Sequence, residues 1–151
     1  MSIKKGIYSA SMSIFFEDLS LDVDSTIKHA EKLIVDGCHG VVLFGSTGMA
    51  QLISSNEKKQ LINKLSKSKF KDNFMIGTGT NALNENIELM KHSISNGIDR
   101  FLLMAPAYYK YKDEGAYAFY ADVIQRVPQS KIILYFSFSI DIKLCNAEIK
   151  L

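Results

Sequence analysis

Cysteine is scarce in this chain. Cys38 and Cys145 are the two thiols among 151 residues; they stand in no metal-ligand spacing and are read as reduced, structural residues. Three histidines, His29, His39 and His92, read as solvated or satisfied side chains, and neither a metal nor a cofactor is expected. No sign of charge dominates: eighteen Lys and Arg against sixteen Asp and Glu leave +2. The one concentration of lysines, Lys64 to Lys71, reads as a solvated helix end, so no nucleic-acid partner is expected. Long apolar runs are missing too. Gly40 to Phe44 and Phe101 to Ala107 fall far short of the roughly 20 residues that span a bilayer, and no membrane partner is expected. Lys4 and Lys5 before Gly6 to Phe16 faintly mimic a signal peptide, but the run is rich in Ser and Tyr and lacks a cleavage site. A cytoplasmic location is the expectation.

What the chain does have is 47% hydrophobic and 23% charged residues, the balance of one globular domain able to bury roughly 70% of its unfolded surface. Its apolar runs centre near Ala10, Leu43, Ile76, Leu103 and Leu134, a repeat of about 30 residues, the length of one strand-plus-helix unit. Five such units fit in the chain, whereas a closed eight-unit barrel takes about 250 residues.

The pattern predicts a first strand over Gly6 to Phe15, buried on both faces, and a helix capped by Asp24 or Ser25. That helix carries Ile27, Ala30, Leu33 and Ile34 on one face and stops at Gly37. Gly40 to Phe44 is a continuous apolar run, as in a parallel strand covered on both sides. Ser54-Ser55-Asn56-Glu57 is a capping box that opens a second helix with Leu61, Ile62 and Leu65. Asn73 to Gly77 reads as a third strand. Asn84 and Glu85 open a third helix with Ile87, Met90 and Ile94, stopped by Gly97. Arg100 to Ala105 is a fourth strand, Gly115 to Val127 a fourth helix ended by Pro128, and Lys131 to Tyr135 a fifth strand. Alternating strand and helix implies a parallel α/β sheet with right-handed crossovers, and ligands then gather at the C-terminal strand ends.

Those ends carry Gly45-Ser46-Thr47-Gly48, then Gly77-Thr78-Gly79-Thr80-Asn81, then Pro106-Ala107-Tyr108-Tyr109, then Tyr135. Glycines let a ligand approach backbone amides, and hydroxyls are neutral donors suited to a carboxylate or phosphate. Gly77-Thr78-Gly79 lacks the third glycine of a dinucleotide fingerprint and the lysine of a P-loop. Phenols at strand ends beside other hydroxyls can relay protons.

At Gly45-Ser46-Thr47-Gly48 followed by Ser54-Ser55-Asn56-Glu57-Lys58-Lys59, the sequence resembles the family of dihydrodipicolinate synthase and N-acetylneuraminate lyase. The likeness runs from about Gly6 to Tyr135 and includes the Gly77 to Asn81 loop, Pro106 to Tyr109 up to Glu114-Gly115, and Ile133-Leu134-Tyr135. It implies a (β/α)8 TIM barrel, truncated here to about five β strands and four α helices. Residues 1–135 would be the N-terminal part of a lyase domain and 136–151 a divergent or truncated tail. It also implies a Schiff base between a lysine and pyruvate or another 2-oxo acid, then carbon–carbon bond formation or cleavage, in a homotetramer or dimer.

Residue by residue, the resemblance makes Ser46 the relay hydroxyl, commonly a threonine in the family. Thr47, with Gly45 and Gly48 beside it, holds the pyruvate carboxylate, Tyr135 donates and accepts protons, and Tyr108 is the relay tyrosine that reaches a neighbouring subunit. Two departures stand out. Met49 replaces a frequent glutamate, and from Phe136 the family's Asn and Pro-containing turn is gone. The family's Schiff-base lysine lies further on, in the sixth strand; Lys143 follows Tyr135 too closely to take its place. The resemblance points first to 4-hydroxy-tetrahydrodipicolinate synthase, a lysine-biosynthesis lyase, inactive as this fragment. N-acetylneuraminate lyase and 2-keto-3-deoxy sugar-acid aldolase are the alternatives. Two other readings stand beside it: a non-catalytic fragment that pairs or self-associates through exposed strand edges, and a small open doubly wound sheet that binds an anion or nucleotide.

Overall fold

A computed structural model of the chain describes residues 3, 5–107 and 110–135. Strands and helices alternate in the expected order: β1 (Tyr8–Ala10), α1 (Val23–Val35), β2 (Gly40–Leu43), α2 (Ser55–Leu65), β3 (Phe74–Gly77), α3 (Leu83–Ser95), β4 (Arg100–Met104), α4 (Asp113–Arg126) and β5 (Lys131–Tyr135). Every neighbouring pair is parallel and the strands lie in sequence order β1-β2-β3-β4-β5. A doubly wound sheet reverses its order at a switch point. This one does not, so the open-sheet reading is set aside, and five strands with four helices form part of a (β/α)8 barrel wall. No helix among the described residues is long and apolar enough to cross a membrane.

Alternation along the strands shows which side the helices cover. Phe101 and Leu103 of β4 are fully buried, and Ile132 and Leu134 of β5 pack against the same core beneath the helices. Leu102 and Met104, with their register partners Ile133 and Tyr135, occupy the opposite face and are only partly covered. β2 and β3, in the middle of the sheet, are buried along their whole length, as their unbroken apolar sequences predict.

The first strand is shorter and more open than its sequence predicts. Only Tyr8–Ala10 pairs, Tyr8 and Ser9 are half-buried, and Ala10 is exposed, because among the described residues β1 has β2 on one side and no strand on the other. The rest of the apolar stretch, past Ser11, forms a loop pinned by an antiparallel bridge between Phe15 and Leu21. Three helix starts also move. Asp22, not Asp24 or Ser25, caps α1, its carboxylate accepting from the Ser25 amide at 2.9 Å. α3 starts at Leu83 behind Ala82 with no side-chain cap, and α4 starts at Asp113.

The capping box of α2 forms as read: Ser54 Oγ accepts from the Glu57 amide at 3.2 Å, and Glu57 Oε2 accepts from the Ser54 amide at 3.0 Å. Its reach is longer than a local motif, because Glu57 Oε1 also accepts from the amide of buried Leu21 at 2.8 Å. The Ser54 hydroxyl and then the Leu21 amide hold the Glu57 carboxyl below the usual range. Glu57→Ala should therefore cost about 2 kcal/mol, more than the ~1 kcal/mol of a lost cap alone, because it also orphans the Leu21 amide. Urea unfolding of Glu57→Ala beside Ser54→Ala measures the difference.

The N-terminal strand ends are occupied by structural pairs. Lys131 bridges Asp99, Arg100 meets Asp72 at 3.5 Å, and the Ile7 amide donates to His39 Nδ1 at 3.1 Å. Open space for chemistry lies at the other end.

Candidate functional site

The C-terminal ends of β2, β3, β4 and β5 enclose a cavity of about 620 Å³. Its floor begins at Phe44, which leaves β2 with φ +60° and is fully buried. A bulky side chain in the left-handed region is strained by roughly 1–2 kcal/mol. Two features hold it there: the ring belongs to the core, and the carbonyl oxygen rests on Gly77, where a Cβ would come within 2.2 Å of it.

The reversal lifts Gly45 to Met49 out of the strand into a turn, closed by the Met49 amide donating to the Ser46 carbonyl at 3.0 Å and the Ala50 amide to the Gly45 carbonyl at 3.3 Å. Gly48 packs beneath, where a Cβ would meet the Ser11 carbonyl at 2.9 Å. The amides of Ser46, Thr47 and Gly48 donate to no other described residue, so the turn offers a run of unpaired donors.

Ser46 Oγ and Tyr135 Oη share a hydrogen bond at 3.3 Å across a separation of 89 residues. Two strands stand between β2 and β5. In a flat sheet that would put their axes about 14 Å apart, so the contact requires the sheet to curl and the tyrosine to reach along its concave face. The bond is longer than the ~2.7 Å mode for hydroxyl pairs.

Met49, Leu52, Leu102, Met104 and Ala107 complete the apolar wall; among the described lining residues only Ser46, Gln51 and Tyr135 carry polar side chains, and none is an Asp, Glu, Lys, Arg or His. Such a lining offers an anion hydroxyls and backbone amides rather than a cation. Among the described residues no three His, Cys, Asp or Glu side chains gather as a metal site.

Gly79, with φ +57°, and Ala50 form a partition on one side of the cavity; a Cβ on Gly79 would lie 2.2 Å from that of Ala50. Behind it a second hollow of about 600 Å³ is walled by Lys58, Ser54, Ser55, Thr80, Asn81 and Glu85. Lys58 is buried and its Nζ donates to the Thr78 carbonyl at 3.0 Å. Burial brings its amine down to about 8, opposed by the Glu85 carboxylate. Glu85 Oε2 accepts from Thr80 Oγ1 at 3.0 Å and from Ser55 Oγ at 3.2 Å. Asn81 Oδ1 accepts from the Ala107 amide at 3.0 Å, tying the loop after β3 to the one after β4.

Of the residues expected from the sequence, Gly45, Ser46 and Tyr135 meet at the cavity. Thr47 is exposed on the turn and Gly48 is buried under it; neither side of the turn is far from Ser46, but neither residue lines the cavity. Tyr108, Tyr109, Lys143 and Cys145 lie outside the described residues. Lys58 went unread, although its signal was present: it precedes Leu61, Ile62 and Leu65 by three, four and seven positions, on the buried face of α2. The partners of Asn81 and Glu85 had no sequence signal, since they depend on how adjacent loops meet.

The sequence model of the dihydrodipicolinate synthetase family matches residues 4–143. An uncharacterized DapA-like lyase of Pyrococcus furiosus is 34% identical over 87% of this chain and 44% of its own length. The 4-hydroxy-tetrahydrodipicolinate synthase of Rhizobium meliloti is 32% identical over 87% of this chain and 45% of its own. Among solved structures, a dihydrodipicolinate synthase from Acinetobacter baumannii complexed with pyruvate superimposes with a TM-score of 0.80 and 31% identity over 90% of this chain and 47% of that one. The chain thus spans a little under half the length of these relatives.

Proposed function

Because this chain belongs to the dihydrodipicolinate synthetase family, we propose that it forms the 2-oxo-acid-binding part of a Schiff-base lyase, with pyruvate as the substrate held. The observation that carries this reading is the Ser46–Tyr135 hydroxyl pair beside a turn of unpaired amides. Schiff-base formation needs those two provisions. A carboxylate must be fixed so that the neighbouring ketone is presented to an amine, and a hydroxyl donor must protonate the carbinolamine oxygen as water leaves. The Ser46 amide at the cavity and the exposed Thr47 amide and hydroxyl beside it hold the carboxylate where the turn opens at the cavity mouth; Tyr135 exchanges the proton, with Ser46 and Tyr108 passing it on.

The amine belongs to barrel units other than these five. Among the described residues no lysine lines the cavity, and Lys58 stands behind the Gly79 partition. The activity of the assembled enzyme is that of a 4-hydroxy-tetrahydrodipicolinate synthase, condensing the pyruvate imine with an aldehyde in the cytoplasm. N-acetylneuraminate or 2-keto-3-deoxy sugar-acid cleavage is the variant that Met49, at the cavity rim, leaves room for. Residues 1–135 are the barrel portion and 136–151 a divergent tail. The 151-residue chain should bind pyruvate without reacting: incubation with pyruvate and borohydride, followed by mass spectrometry, should leave its mass unchanged. A reduced pyruvate adduct on Lys143 would contradict this and place the nucleophile in this chain.

A further inference from the structure

We infer that Lys58 is a positioning residue for the pyruvate site: through the Thr78 carbonyl it holds the loop after β3, and with it the Gly79 partition that walls the cavity. The inference rests on the pyruvate reading above. Lys58 occupies a place on α2 where packing alone calls for an aliphatic side chain, for its neighbours on that face, Leu61, Ile62 and Leu65, are fully buried. A buried ammonium is costly unless its hydrogen bonds do something an apolar side chain cannot. Its observed bond goes to the Thr78 carbonyl, one residue past the end of β3.

That residue sits between two close backbone contacts. Gly77 supports the strained Phe44 carbonyl, and Gly79 abuts Ala50, so any shift of Thr78 is passed to both the turn that carries Ser46 and the cavity wall. Thr78 itself is fully buried, and its Oγ1 has no partner; no side-chain hydrogen bond of its own fixes it. Glu85, on α3, is the charged group facing Lys58, and it is engaged by Ser55 and Thr80.

Lys58→Met in the 151-residue chain tests this, because methionine keeps the length and loses the charge. Positioning predicts faster hydrogen exchange localised to the Thr78 to Asn81 amides together with pyruvate binding weakened roughly tenfold, in line with sub-ångström misplacement of a binding group. Hydrogen exchange at those amides that is unchanged, or that rises no more than across the rest of the chain, marks a packing role and overturns the inference. So does pyruvate affinity within twofold of the unsubstituted chain. If the unsubstituted chain binds no pyruvate, the functional reading fails and takes this inference with it, an outcome distinct from equal binding by both.

Discussion

Gly77→Ala should destabilise the chain by about 3 kcal/mol, a large part of the 5–15 kcal/mol that holds a domain together. The added methyl would lie 2.2 Å from the Phe44 carbonyl oxygen, 2.7 Å from its carbon and 3.1 Å from the Gly45 nitrogen. All three are backbone atoms of the neighbouring strand end, so no side chain can swing away. β2 and β3 must part or Phe44 must leave its left-handed conformation. Overpacking a core costs 1–3 kcal/mol where side chains can yield, and here they cannot, while the lower entropy of an unfolded alanine returns under 1 kcal/mol. Gly45→Ala is the control, because a Cβ there meets nothing within 4 Å and should leave the urea midpoint within 0.5 kcal/mol equivalents, about the scatter of surface substitutions. A Gly77→Ala midpoint as high as that of Gly45→Ala would remove the interlock of the two strand ends.

The second large effect is alkaline. The Lys58 amine titrates near 8 in the folded chain against a usual value of 10.5, so below pH 8 both states hold the proton and the folded state carries the whole penalty of the buried charge. Above pH 8 the folded state releases that proton while the unfolded state keeps it, and stability rises with pH. At 1.36 kcal/mol per pH unit the gain is roughly 2 to 3 kcal/mol by pH 10. Tyr120 then acts in the opposite direction. Burial pushes its phenol up to about 12, so from pH 10 the unfolded state ionises first and stability falls. Urea unfolding from pH 7 to 11 should trace a maximum near pH 10. In Lys58→Met the rising limb should vanish and the falling limb remain; a rising limb that survives the substitution would assign it to other groups.

The strand–helix alternation was legible because each unit repeats the same grammar: a short apolar strand, a glycine or capping residue, an amphipathic helix. The glycines at the strand ends and the capping box at Ser54 were legible for the same reason, being local signals. What failed was set by neighbours. The stretch from Gly6 to Phe15 is apolar enough for a long covered strand, yet pairing is limited to Tyr8–Ala10 by having one strand partner among the described residues. Lys58 reads as one more surface lysine in a run of them, and only the arrival of the Thr78 carbonyl makes its burial tolerable. The Ser46–Tyr135 pair lies between. Each residue was singled out by its loop, but the 3.3 Å contact depends on sheet curvature that no local pattern encodes.

The central claim is that the turn after β2 is a carboxylate cradle facing Tyr135. Titration of the isotopically labelled 151-residue chain with pyruvate, followed by amide chemical shifts, tests it most directly. The largest shifts should fall on Ser46, Thr47 and Gly48 and diminish in Ser46→Ala. Shifts confined to the hollow around Lys58 and Glu85, or none at all at saturating pyruvate, would contradict it.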